Sequence, residues 1–206
     1  MSTEPDYSFE LMAHARGLPS VAGVDEAGRG PLCGPVVAAA VVLNPAQIPP
    51  GINDSKKLGD RRRTLLFSQI MELAKVGVGH ASPAEIDDMN ILRASHLAMM
   101  RALAALSPTP DHVLIDGNMI PRGLAVSAEA LIKGDGRSLS IAAASIIAKV
   151  TRDRIMVDLA QQYPGYGWDK NAGYPTKDHL AALQNLGVTP HHRRSFRPVH
   201  NILYQA

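Results

Sequence analysis

The chain has 206 residues, 46% hydrophobic and 19% charged, which is enough for one domain with a full core and excludes a disordered or low-complexity polypeptide. Its formal net charge of +2 excludes a strong global field, so any nucleic-acid binding must rest on locally arranged cations. The single Cys33 rules out an intrachain disulfide and a cysteine-rich zinc site. The start, MSTEPDYSFELMAHARG, lacks the apolar run of a signal peptide, and no apolar stretch approaches the roughly 20 residues of a membrane span. With no sign of membrane association, the expectation is a cytoplasmic protein acting as a monomer. It should be organised as a single catalytic domain over residues 1–206, with residues 1–19 as an N-terminal extension and about 160–206 as a C-terminal helical segment of the same domain.

In chain order, Val21–Asp25 reads as a buried strand and Gly34–Leu43 as a second, rich in Val and Ala. The Gly/Pro-rich turn between them is too short for a crossover helix, so the two strands should pair antiparallel. Asn44–Leu58 is loop, and Gly59–Ala74 has apolar residues at helical spacing (Leu65, Leu66, Ile70, Leu73). Lys75–Ala81 is a third strand. Ser82-Pro83-Ala84-Glu85 has the form of a capping box opening a helix that runs to Leu106, with a break near Asn90. His112–Asp116 and Ala128–Ile132 are a fourth and a fifth strand. Ser138 caps an Ala-rich helix to about Gln162, and Thr176 caps a shorter one to about Leu186. An antiparallel start followed by strand–helix alternation implies an α/β fold, a mixed sheet with helices packed on it.

The acids at strand ends carry the chemistry. Asp25 and Glu26 close the first strand, Asp116 closes the fourth, and Asp135 follows the fifth just before a helix. Strand ends are where sites gather in sheets with parallel strands, so sequence-distant acids can converge there. Carboxylates without a His/Cys cluster make a hard, oxygen-rich site for Mg²⁺ or Mn²⁺, suited to two-metal phosphodiester hydrolysis. Taken singly, Asp116 is also a turn former and Asp135 a helix-dipole partner. Asp25 and Glu26 can share a site only if the strand ends or bulges there, because successive strand residues face opposite sides.

The Gly28-Arg29-Gly30 turn follows. GRGPLCG departs from a dinucleotide fingerprint, because its sixth position is Cys33 and it leads into a strand. The turn can instead bring bare backbone close to a sugar–phosphate chain, with Arg29 as a phosphate anchor; a tight hairpin turn with a solvated arginine is the alternative.

Six segments together resemble the bacterial ribonuclease HII family: VAGVDEAGRGPLCGPVVAAAVVL, GINDSKKL, VLIDGN, LIKGDGRSLSIAAASIIAKVTRDR, NAGYPTKDHL and HHRRSFRPV. They stand in the family's order from Val21 to Val199. The resemblance implies the ribonuclease H-like fold, a central five-stranded mixed sheet flanked by helices, with a C-terminal helical segment. It implies endonucleolytic cleavage of RNA in RNA–DNA hybrids and incision 5′ to a lone ribonucleotide in duplex DNA, leaving 5′-phosphate and 3′-hydroxyl ends. It further implies Asp25, Glu26, Asp116 and Asp135 as ligands of two Mn²⁺ or Mg²⁺ ions. Gly28, Arg29 and Gly30 correspond to the turn that senses the ribose 2′-hydroxyl, and Tyr174 to the tyrosine at the RNA–DNA junction. Here Pro175 follows Tyr174, where a small residue is expected. Asn53 and Lys56 correspond to a phosphate-contacting loop, although a solvated lysine pair is an equal alternative. NILYQA shows no evident sliding-clamp peptide.

Other charged residues are read more plainly. His191, His192, Arg193 and Arg194 suggest a basic cluster facing phosphate. Ala142–Ala144 and Ser145 form a small-residue packing face. Lys149, Arg152 and Arg154 could support the backbone path, with solvation the default for charges on a helix, and Asp153, a fifth candidate acid beside two arginines, is read as an ion-pair residue. Two rival functions stay open: another metal nuclease of the same fold, such as a resolvase or transposase-like enzyme, and a noncatalytic hybrid-binding module.

Overall fold

The computed structural model of the protein describes residues 4–204. Strands β1 (Val21–Ala27), β2 (Val36–Val42), β3 (Lys75–Ala81), β4 (His112–Asp116) and β5 (Ser127–Leu131) form one sheet in the order β3-β2-β1-β4-β5. β1 pairs antiparallel with β2 and parallel with β4, β2 pairs antiparallel with β3, and β4 pairs parallel with β5. The expected mixed sheet is therefore present, and the parallel β1–β4 pair brings the ends of two acid-bearing strands side by side.

The helices are α1 (Ser8–Ala15), α2 (Asp60–Leu73), α3 (Pro83–Met89), α4 (Ile91–Ala104), α5 (Leu139–Gln162), α6 (Trp168–Asn171), α7 (Lys177–Leu186) and α8 (Arg197–Tyr204). The break at Asn90 is real: its backbone turns to φ +74° and its side chain caps α4 by accepting from the Leu92 and Arg93 amides. The Ser82–Glu85 capping box, Ser138 and Thr176 cap as their sequence signatures indicate. Helix α1 has no counterpart in the sequence reading, and α6 and α8 lie in the C-terminal helical segment without having been placed individually. None of them exceeds eight residues, too few for a periodic pattern to stand out.

Strand alternation sends the sheet's side chains into two cores. Ala22, Val24, Val113 and Ile115 pack beneath α4 with Ala94, Ala98 and Ala102. On the other face Val21, Leu114 and Leu131 meet Ile141 of α5, while Ala39 and Val41 meet Ala142–Ala144 and the α2 residues Leu66 and Ile70. The small residues are the reason α5 can lie so close. A Cβ on Gly23 would fall 2.1 Å from the Ser140 carbonyl carbon, so only glycine fits beneath the start of α5. Among the described residues no helix is long and apolar enough to cross a membrane.

Candidate active site

Asp25, Asp116 and Asp135 arrive from β1, the end of β4 and a 3₁₀ turn (Gly134–Gly136) after β5, and each offers a carboxylate oxygen within 4.8 Å of the others. Local hydrogen bonds aim them. The Glu26 amide donates to Asp25 Oδ1 at 2.7 Å, and the Gly134 amide donates to Asp116 Oδ1 at 2.7 Å, tying the β4 end to the turn that carries Asp135. Burial holds the Asp25 carboxyl well above its ordinary range, and the charges of Glu26 and Asp116 push it the same way. Burial likewise raises Asp135, helped by Asp116 and Asp54 and opposed by Lys56. Close carboxylates that resist joint ionisation are the signature of a site completed by cations.

Glu26 stands apart. β1 continues through it to Ala27 in regular register, with Asp25 opposite Ala39 and Glu26 opposite Ala38, so no bulge turns it to Asp25's side. Its side chain faces α4, in a cleft of about 40 Å³ lined by Arg29, Ser95, His96, Asp116 and Asn118. One oxygen pairs with Arg29 Nη1 at 3.2 Å, and Oε2 is buried with no partner. Burial raises its carboxyl, and the Arg29 charge opposes that rise. Asp116 borders both places, so the acids straddle the edge of the sheet. An all-oxygen donor set with an orphaned buried carboxylate oxygen fits hard divalent cations.

The NDSKKL loop closes one side. Lys56 Nζ lies 3.6 Å from Asp135 Oδ2, with its side chain 79% exposed. Burial works against its charge, but Asp135, Asp25 and Asp54 outweigh it and hold the ammonium above its ordinary value. The Asn53 side chain accepts from the Asp54 amide at 2.9 Å. The loop is anchored from beneath: the Ser55 amide donates to Ser145 Oγ at 3.0 Å, and Arg63 donates to the carbonyls of Ser55 and Leu58. Ser145 is thus an anchor as well as a small packing residue. Asp153 is an ion-pair residue as expected, but with Lys149 at 2.8 Å and Arg63 at 3.8 Å and not with the adjacent arginines.

The glycine turn and Tyr174 close the other side. Gly28 has φ +97°, and Gly30 faces the Tyr174 ring, where a Cβ would lie 3.3 Å from Cε1. Tyr174 is 46% exposed, and Pro175 leaves its ring on the turn.

Two arginines hold this arrangement, and for both the sequence reading needs correction. Arg193 is not part of a phosphate-facing cluster. It is fully buried and donates to the carbonyls of Gly28 (2.6 Å), Arg29 (3.0 Å) and Gly34 (3.0 and 2.9 Å). Arg152 is not solvated: it is buried and donates to the carbonyls of Pro35, Ala172 and Cys33. Guanidinium forks suit such turns because they can satisfy several divergent carbonyls at once. His192 is buried too, and only Arg194 of that run is exposed.

Cys33, His179 and His192 form a second group of ligand-type atoms within 4.8 Å of one another. The imidazole nitrogens are engaged. His179 Nδ1 faces the Tyr174 carbonyl at 2.9 Å and so carries its proton, leaving Nε2 to accept from Trp168 Nε1 at 2.9 Å. His192 Nδ1 accepts from the Thr189 amide at 3.0 Å. This is a satisfied polar core that backs the Tyr174 segment.

Fold and site together define a class: an α/β protein whose mixed sheet carries at its edge a cluster of carboxylates able to hold a hard cation. The model of the family described as Ribonuclease HII matches residues 22–199. A ribonuclease HII of Ruegeria pomeroyi is 68% identical over 203 residues, covering 98% of this chain and 87% of that protein. A ribonuclease H2 structure from Pyrococcus horikoshii is 31% identical with a TM-score of 0.77, covering 90% of this chain and 98% of that one. The ribonuclease HII in a PCNA complex from Archaeoglobus fulgidus is 27% identical with a TM-score of 0.70, covering 86% and 95%. The chain belongs to the ribonuclease HII family. It is an endoribonuclease of RNA–DNA hybrids.

Proposed function

We propose that the enzyme cleaves on the 5′ side of a ribonucleotide, including one embedded singly in duplex DNA, and leaves 5′-phosphate and 3′-hydroxyl ends. The observation that carries this reading is the juxtaposition of the Asp25, Asp116 and Asp135 carboxylates with a glycine turn packed on an exposed tyrosine. Asp25, Asp116 and Asp135, with Glu26 beside them, would hold a pair of Mn²⁺ or Mg²⁺ ions. When bound, such ions activate water for in-line attack and neutralise the departing 3′-oxygen.

The chain's own residues supply recognition and alignment. A 2′-hydroxyl both donates and accepts, and the backbone of Gly28, Arg29 and Gly30 can approach one sugar without a side-chain barrier. The Tyr174 ring packs on the neighbouring sugar. Lys56 and Asn53 face the phosphate path beside Asp135, and Arg29, released from Glu26, serves as a phosphate anchor. The 3.6 Å Lys56–Asp135 approach supports a cation at that position. Ribonucleotide and RNA-primer removal from DNA is the role this specificity serves, carried out in the cytoplasm by a single catalytic domain.

The test is cleavage of paired duplexes identical except for one ribonucleotide, each with Mg²⁺, Mn²⁺ or EDTA. Cutting confined to the ribonucleotide's 5′ side and lost in EDTA is the expected result. Equal cutting of the all-DNA duplex would favour a resolvase-like nuclease, and binding without turnover a hybrid-binding module.

A further inference from the structure

The N-terminal segment lies outside the residues matched by the family model, yet it reaches the metal-ligand turn. Glu10 of α1 is completely buried, an unusual place for a carboxylate. Its Oε1 accepts from Ser138 Oγ at 2.6 Å and from the Ser140 amide at 2.9 Å. Asp6 flanks this contact: its amide donates to the Arg137 carbonyl at 3.1 Å, and its carbonyl accepts from the Leu139 amide at 3.0 Å. Phe9 lies under the Arg137 guanidinium, and Ala13 packs with Val21, Leu114 and Leu131.

The first amides of α5 are thereby shared between two sources. Leu139 and Ser140 donate to Asp6 and Glu10 of the N-terminal segment, while Ile141 donates to the capping Ser138 Oγ. Ser138 is also the link to the turn, since its amide donates to the Gly134 carbonyl at 2.8 Å. Asp135 sits between those two residues. A carboxylate at the positive end of a 24-residue helix is favourable, which offsets part of the cost of burying it.

We propose that Glu10 is a positioning residue for Asp135. By fixing Ser138 and the first turn of α5, it sets the Gly134–Gly136 turn and hence where the Asp135 carboxylate points. This rests on Asp135 being a metal ligand. Residues supporting a ligand from behind typically change metal affinity by about 10- to 100-fold when removed.

The experiment is calorimetric titration of the substrate-free full chain with Mn²⁺, with melting temperatures measured in parallel. Glu10→Ala should weaken Mn²⁺ binding by about ten-fold. Glu10→Gln, whose amide oxygen can accept both bonds, should stay within about two-fold. Leu106→Ala, a core truncation just beyond the C-terminal end of α4, should lower the melting temperature and leave Mn²⁺ affinity unchanged. If Glu10→Ala does not fold, Glu10→Asp, which withdraws the acceptor by one methylene, should show an intermediate loss. Wild-type affinity in the folded Glu10 variant, alongside weakened binding in Asp135→Asn, would overturn the positioning role. So would an equal loss in Leu106→Ala, or a Gln variant as weak as Ala. Wild-type affinity in Asp135→Asn would instead remove the metal reading of Asp135, a distinct failure.

Discussion

Gly30 and Tyr174 touch across 144 residues of chain, close enough that a Cβ on Gly30 would stand 3.3 Å from the tyrosine Cε1. The absent side chain and the ring are two halves of one surface. Gly30→Ala should displace the ring by a few tenths of an ångström and reduce cleavage at a single ribonucleotide. Tyr174→Ala should reduce it strongly, through lost alignment, while salt-sensitive binding of the duplex survives. Steady-state cleavage and fluorescence binding on the same duplex separate the two, and full activity in Tyr174→Ala would remove the tyrosine from the site.

Exchanging Asp25 or Asp116 for Asn removes a charge at nearly constant volume, so metal-dependent cleavage should vanish with the fold intact. Burial holds the Asp25 carboxyl high, so its Asn variant should melt no lower than the wild type in EDTA. Asp135→Asn should be milder, because it would serve one ion and can be partly replaced by water. Activity assays over a Mn²⁺ series read all three, and an Asp135→Asn variant as inactive as Asp25→Asn would contradict the ranking.

Arg193→Met should destabilise by at least about 3 kcal/mol, since the carbonyls of Gly28, Arg29 and Gly34 would lose a buried donor together. Arg193→Lys should fold better yet recover little activity, because an ammonium cannot span carbonyls that diverge around the turn. Denaturant melts and cleavage assays check the pair; a lysine variant with wild-type activity would show that the fork geometry is dispensable.

Burial first, and then the neighbouring His179 charge, push His192 down to about 4. An unfolded histidine titrates near about 6.5. Between those values the unfolded chain binds a proton that the folded one refuses, so stability should fall as pH drops from about 6.5 to about 4 and then level off. The loss from this residue is about 3 kcal/mol, with His179, also lowered by burial, acting in the same direction. Thermal melts across that range provide the check, and a flat profile would mean that the pair accepts protons while folded.

How much of this was legible in the linear chain follows from the range of the forces involved. Local signals were readable: short apolar segments placed β3 and β4 to the residue, and the Ser82, Ser138 and Thr176 caps opened their helices where expected. The acids stood out for the same reason, as charges at the edges of apolar segments. What tertiary structure alone decided is where side chains point once distant elements meet. β1 runs on to Ala27 because β2 continues to pair with it, and that register turns Glu26 toward α4 while Asp25 joins Asp116 and Asp135. Arg193 reads as a surface cation because nothing near it in sequence can satisfy it; its acceptor at Gly28 is 165 residues away. Glu10 gives no signal in the sequence, because the α5 amide it accepts from stands 130 residues further on. A buried charge is stable only beside its partners, and those partners come together only when the chain folds.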